Sequence, residues 1–169
     1  MTTHRLLLLR HAKAEHPENV ADHDRPLSLV GRRQSSRVGA ALAAAGLVPD
    51  LVLCSSSLRT RQTWEIAKST LGAEPPVELS EDVYSAGTRA LVDLVRDVPE
   101  SVQTLLVVGH EPTMSHVAEV LAGPDSDVTA LARVRVGVPT GSWTLLETDG
   151  SWDALRRGEA TLVRLAVPE

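Results

Sequence analysis

Residues 5–13 read Arg5-Leu6-Leu7-Leu8-Leu9-Arg10-His11-Ala12-Lys13. The leucine run is too short for a helix of ordinary length and lacks polar alternation, so it predicts a strand buried on both faces of a sheet. The strand ends in a cation and an imidazole side by side. In open α/β sheets, ligands bind beyond the carboxyl ends of the strands. Two later fragments repeat the pattern: Leu51-Val52-Leu53-Cys54 runs into Ser55-Ser56-Ser57-Leu58-Arg59, and Leu105-Leu106-Val107-Val108 runs into Gly109-His110-Glu111-Pro112. In a parallel sheet these three ends share one rim. Arg10, His11, Arg59 and His110 can meet there although scattered along the chain.

The segments between these runs read as helices. Residues 14–27 are polar, contain Pro17 and Pro26, and predict a loop. Ser28 can cap a helix to about Ala45, stopped by Gly46 and Pro49, and its Ala-rich segment 39–45 lets a neighbour approach closely. Ser57 can cap a second helix to about Leu71. Val77-Glu78-Leu79 predicts a short strand, and Thr88 can cap a helix over 88–98 with Leu91, Leu94 and Val95 on one stripe. A fourth helix spans about 112–121, with proline tolerated in its first turn. After Gly123 the pattern turns to β at 133–138, 142–147 and 161–166. This alternation predicts an α/β fold: a three-layer α/β/α sandwich with a mostly parallel central sheet and antiparallel or edge strands from the C-terminal third. No repeat or linker interrupts it, so one domain is expected over 1–169.

The bulk numbers exclude several classes. The chain has 169 residues, 43% of them hydrophobic, with no Phe, so Leu, Val and Ala must fill the core. A net charge of −5 argues against nucleic-acid or acidic-membrane partners. Arg32-Arg33 and Arg156-Arg157 read as solvated faces. The single cysteine, Cys54, allows no internal disulfide. The apolar start is too short for a membrane span or a signal-peptide core, so a cytoplasmic location is expected.

Two arginines at one rim suit a phosphoryl dianion, because each planar fork bonds two oxygens and never loses its charge. Backbone N–H groups at the helix start after Ser57 would add to this. Between these cations His11 should stay neutral, and a neutral imidazole with a free lone pair is a nucleophile toward phosphorus. The expected reaction is two in-line transfers, from substrate to His11 and from His11 to water. Arg10, Arg59 and His110 would hold the equatorial oxygens. Neither a metal nor a cofactor is required.

Arg10-His11-Ala12, the Ser55-x-x-x-Arg59-x-x-Gln62-Thr63 stretch and Gly109-His110 resemble the three signatures of the histidine phosphatase (phosphoglycerate-mutase-like) superfamily. They occur in family order and at similar separations, with Ala12 where the family usually has glycine. Asp24-Arg25-Pro26-Leu27-Ser28 followed by Gly31, in a chain this short, looks like the SixA-type phosphohistidine phosphatases. The resemblance implies His11 as nucleophile, Arg10, Arg59 and His110 as phosphate ligands, and Arg25 near the substrate entrance.

Relatives that cleave phosphate esters also use a carboxylic acid to protonate the leaving alkoxide. Candidates are Glu81 and Asp82, with Glu15 behind them, though a solvated loop is the plainer reading of both. A phosphoramidate's imidazole leaves readily once protonated and needs less help. The expected function is therefore hydrolysis of phosphohistidine in a protein. The alternatives are a phosphomonoesterase for a small sugar or nucleotide phosphate, and a non-catalytic phosphate-binding regulatory module. Arg25 could instead merely pair with Asp24. His4, His16, His23 and His116 read as surface or helix residues, and no zinc-site spacing occurs. Four residues separate Cys54 from Arg59 and six separate it from Arg61, where a cysteine phosphatase needs five, so Cys54 reads as a buried small residue.

Overall fold

The computed structural model describes residues 3–168. Six strands form one sheet in the order β3-β2-β4-β1-β5-β6. They are β1 (His4–Arg10), β2 (Leu51–Ser55), β3 (Val77–Ser80), β4 (Thr104–Gly109), β5 (Trp143–Thr148) and β6 (Thr161–Ala166). The first four are mutually parallel, whereas β5 runs antiparallel to β1 and β6 antiparallel to β5. The helices are α1 (Leu29–Ala44), α2 (Leu58–Leu71), α3 (Glu81–Ser85), α4 (Thr88–Arg96), α5 (Thr113–Leu121) and α6 (Val128–Val136).

The uninterrupted leucines of β1 are explained by what lies on each side. Leu6 and Leu8 join one core with α4, α5 and α6, while Leu7 and Leu9 join the other with α1 and α2. β2 and β4 divide in the same way, Leu53 and Val107 to the first side, Val52 and Val108 to the second. Successive side chains of a strand point to opposite faces, so a strand covered on both must be apolar throughout. Among the described residues no helix is long and apolar enough to cross a membrane.

Close backbone approaches lock α1 in place. The Lys13 carbonyl accepts from the Ser28 backbone at 2.9 Å and from its hydroxyl at 3.1 Å, and Ser28 Oγ accepts in turn from Gly31 N–H. Gly31 lies so close to Lys13 that a Cβ there would overlap the Lys13 carbonyl oxygen. At Gly39 a Cβ would overlap the Ala67 carbonyl of α2, which is the close approach expected of the Ala-rich segment.

The structure corrects several expectations. Residues 133–136 are helical, part of α6, and not the start of a strand over 133–138. The Asp127 carboxylate caps this helix by accepting from Ala130 N–H at 2.8 Å. Ala130 and Val134, one turn apart, are buried, while Val136 is 91% exposed. The alternating Arg–Val pattern therefore never had a sheet face to cover, and the buried i,i+4 pair set the period. Glu81 and Asp82 begin a short helix capped by Ser80, whose hydroxyl accepts from Val83 N–H, and do not lie in a loop. Gly87 takes the cap position before α4, with Thr88 as its first residue. His4 is buried in β1 against Trp152, its Nδ1 donating to the Gly150 carbonyl at 2.9 Å, and so is not a surface residue.

Gly31→Ala should lower stability by about 1–3 kcal/mol, because the new methyl must displace backbone. Urea unfolding checks this, and an unchanged midpoint would contradict the close packing described.

Candidate active site

β1 and β4 end side by side, with Arg10 level with Gly109. The strand ends are pinned: His11 N–H donates to the Gly109 carbonyl at 3.0 Å, and Arg10 N–H to the Ser142 carbonyl at 3.0 Å. This brings the His11 and His110 rings to 5.4 Å between centroids. Arg59 arrives from the first turn of α2, directly after β2, and its Nη2 donates to His110 Nδ1 at 3.2 Å. His11 and Arg59 are 8% and 6% exposed. The structure thus brings together Arg10, His11, Arg59 and His110.

The tautomers follow from the partners. His11 Nδ1 lies 2.7 Å from the Ala12 carbonyl oxygen, which can only accept, so the proton sits on Nδ1 and the Nε2 lone pair is free. Burial, more than the neighbouring cations, pushes the His11 pKa down to about 3; His110, Arg59 and Arg10 push the same way. His110 accepts from Arg59 on Nδ1 and therefore donates from Nε2 to Ser55 Oγ at 2.8 Å. Burial, then Arg59, lowers its pKa to about 4. Both rings are neutral at physiological pH. Burial also draws the Arg10 guanidinium below its ordinary value, with Glu111 opposing.

The buried Nε–H groups of Arg10 and Arg59 have no partner. Orphaned buried donors are costly, and an anion seated between the arginines would satisfy them. Among the described residues no cluster of three or more His, Cys, Asp or Glu side chains could hold a metal ion.

Several polar residues around the four act as struts. Thr63 Oγ1 accepts from Ala12 N–H at 3.0 Å and donates to the Arg59 carbonyl at 2.7 Å. Gln62 Oε1 accepts from Leu27 N–H at 2.8 Å, tying the long loop to α2. Glu111 accepts from Val138 N–H at 3.0 Å and Ser115 N–H at 2.7 Å, and Arg10 Nη1 donates to the Val138 carbonyl at 2.7 Å.

Arg25 lies over this cluster, linked to it by a residue that sequence reasoning missed. Asp22 Oδ1 accepts from Arg25 Nη1 at 3.1 Å, and Oδ2 accepts from Arg59 Nη2 at 3.1 Å and from the Tyr84 hydroxyl at 2.7 Å. The Asp22 carbonyl takes Arg59 Nη1 at 2.7 Å as well. The hydrogen bond from Tyr84, followed by those from Arg25 and Arg59, holds the carboxyl well below the usual range, and it raises the Tyr84 pKa in return. Arg25 therefore pairs with Asp22 and not with Asp24, which instead faces His23 Nδ1 at 3.6 Å. An Asp three residues before an Arg in a turn was the available signal.

Tyr84 stands edge-on to His110 at 5.5 Å and to His23 at 4.9 Å. His23 is thus part of the rim, with Nε2 2.9 Å from Ser56 Oγ and 3.5 Å from Glu81 Oε1. Glu81 is 74% exposed at that rim. Asp82 lines a separate groove beside Leu53, Leu94 and Val98. Cys54 is buried, and burial raises its thiol pKa to about 12, which removes it as a nucleophile.

Two guanidiniums with orphaned donors and two neutral imidazoles, at the carboxyl ends of parallel strands, are the setting of a phosphatase. The chain belongs to the histidine phosphatase superfamily, in its SixA-type group. The model of the histidine phosphatase superfamily (branch 1) matches residues 6–83. A structure from Nakamurella multipartitia carrying the name of the phosphohistidine phosphatase SixA superposes with a TM-score of 0.86 at 31% identity, covering 99% of this chain and 98% of that one. A SixA-named structure from Agrobacterium tumefaciens has a TM-score of 0.82 at 27% identity, covering 99% of each chain. An uncharacterized protein of Mycobacterium tuberculosis is 38% identical over 161 residues, which is 95% of this chain and 99% of that one.

Two outcomes are expected. In a pH titration followed by NMR, the His11 and His110 rings should remain neutral at pH 6. Unfolding exposes both rings to protonation, so the unfolded state binds more protons and stability should fall as pH drops from about 6.5 toward 4 and 3. A midpoint near 6.5 for either folded ring would contradict this. Asp22→Asn should tighten tungstate or phosphate binding roughly three- to tenfold, the scale of removing one partly screened negative charge. Calorimetry reads this, and weaker binding would contradict it.

Proposed function

We propose that this phosphatase hydrolyses phosphohistidine in a protein substrate through a phosphohistidine intermediate on His11. One observation carries the reading: a buried, neutral His11 whose Nδ1–H is spent on Ala12, leaving the Nε2 lone pair beside two arginines with unsatisfied donors. Nε2 attacks phosphorus, and the P–N bond to the substrate imidazole breaks. That ring leaves as neutral imidazole when its other nitrogen carries a proton. Water then attacks the adduct, its O–P bond forms as the Nε2–P bond breaks, and inorganic phosphate departs with the water proton passing to solvent. Arg10, Arg59 and His110 hold the non-bridging oxygens throughout, and Arg25 faces the entrance. Neither transfer needs a metal or cofactor.

The choice of phosphoramidate over ester rests on acid chemistry. An alkoxide leaving group needs a protonated donor worth roughly 10²–10⁴-fold in rate. The carboxylate that touches the arginines, Asp22, is held ionised by three donors and has no proton to give. The names of the two SixA-named neighbours favour the same substrate class. Glu81, at the rim beside His23, is the feature that would support the ester reading.

Incubation with ³²P-phosphohistidine protein and rapid quenching in alkali, where phosphohistidine survives, should trap label on the wild-type chain and none on His11→Ala. Turnover by His11→Ala should fall at least 10³-fold. Glu81→Gln and Asp82→Asn should leave phosphohistidine hydrolysis within about twofold of wild type. Ester turnover exceeding phosphohistidine turnover, and lost in Glu81→Gln, would replace the reading with a phosphomonoesterase. Full activity in His11→Ala would overturn both.

A further inference from the structure

A groove of about 850 Å³ runs between α4, α5 and the segment 155–157, apart from the chemistry above. Its floor is apolar, with Val92 and Val120 half-buried and Leu155 buried. Its walls are basic. Of the two acids lining it, Asp93 is taken by Arg96 at 3.6 Å, and Glu119 by Arg135 of α6 at 3.6 Å. Arg89, Arg156 and Arg157 line the groove without a carboxylate partner among the described residues. Three guanidiniums without a carboxylate partner around one trough, in a chain of net charge −5, are a local reversal of sign.

The spread of the cations decides what they fit. Arg89 and Arg96 stand seven residues apart on α4, about 10 Å along the axis. Arg96 Nε donates to the Asp153 carbonyl at 3.2 Å, and Arg156 Nη1 donates to the same carbonyl at 2.8 Å. Basic residues therefore occupy both ends of the α4 wall, a spread that suits a ligand carrying several negative charges along its length. A flat anionic surface would not reach the apolar floor. An extended polypeptide with carboxylates at intervals and an apolar side chain between them satisfies both. Thr113 Oγ1 donates to the Ala86 carbonyl at 3.2 Å, joining the start of α5 to the segment just after Tyr84. His116, one turn further along α5, lines the groove.

We infer that this groove docks an acidic segment of the phosphoprotein substrate, its carboxylates on Arg89, Arg156 and Arg157 and an apolar side chain on Val92, Val120 and Leu155. The inference rests on the phosphoprotein reading of the active site and names how such a partner is held.

The test compares phosphoimidazole, a synthetic phosphohistidine peptide continuing into an Asp/Glu–Leu run, and the same peptide with Asn/Gln in place of the acids. The wild-type chain should show a KM about tenfold lower for the acidic peptide, a difference that closes in about 0.5 M salt. The double variant R89E/R157E should lose that difference, with kcat and phosphoimidazole turnover unchanged. Equal KM values for the two peptides with wild type, or a preference surviving in the variant, would overturn the docking surface. Competitive displacement of the acidic peptide by free ATP, with no peptide preference in KM, would put a small anion there and overturn it too. If wild type hydrolyses no phosphoramidate, the active-site reading fails instead. Fluorescence anisotropy with the unphosphorylated acidic peptide then tests the groove alone: binding lost in R89E/R157E supports it, and no binding sinks it.

Discussion

Two guanidinium groups and two imidazoles share one end of a sheet, His11 and Arg59 buried there and Arg10 and His110 partly so. Each arginine is charged at any working pH, so nothing else placed there can gain positive charge cheaply. The rings respond by staying neutral, and burial contributes more to this than the cations do. Neutral rings are what phosphoryl chemistry at histidine requires, since a protonated imidazole has no lone pair to offer. The same excess of positive charge explains Asp22. The loop between β1 and α1 carries a carboxylate into contact with Arg59 and Arg25, and Tyr84 steadies it.

The surrounding motif residues make sense as supports for that charge cluster. Ser55 Oγ accepts a hydrogen bond from His110 Nε2–H, Thr63 spans Ala12 and the Arg59 carbonyl, and Gln62 anchors the loop that delivers Asp22. Glu111 holds the backbone at Val138, whose carbonyl in turn takes Arg10. A misplaced phosphate ligand loses far more than a hydrogen bond, because in-line transfer depends on position. Short polar side chains that bond backbone are suited to such a task, since they order few rotatable bonds for each contact made.

The trough between α4 and α5 shares no lining residue with the cluster of Arg10, His11, Arg59 and His110. Arg25 and Tyr84 both bond Asp22 beside the clustered arginines and histidines, while Arg89, Arg156 and Arg157 line the trough. Charges on such an outlying surface govern encounter and affinity more than turnover.

Much was legible in the linear chain. The doubly covered strands announced themselves as apolar runs without alternation, and polar residues at their carboxyl ends marked the rim. Arg10, His11, Arg59 and His110 could be named from that alone, because a parallel sheet places all such ends together. The C-terminal strands were legible at 142–147 and 161–166 but not the helix before them. Arg133-Val134-Arg135-Val136 has the period of a strand, and only the burial of Ala130 and Val134 against the sheet gave it the period of a helix. Tyr84 and His23 were invisible for a related reason: their partners come from distant segments that no local spacing records, and the i,i+3 spacing of Asp22 and Arg25 showed only that one pair. The chain by itself determined which side chains the strand ends would carry. Tertiary packing decided which tautomers they adopt, which carboxylate answers their charge, and which arginines are left unpaired, because those depend on burial and on neighbours remote in sequence.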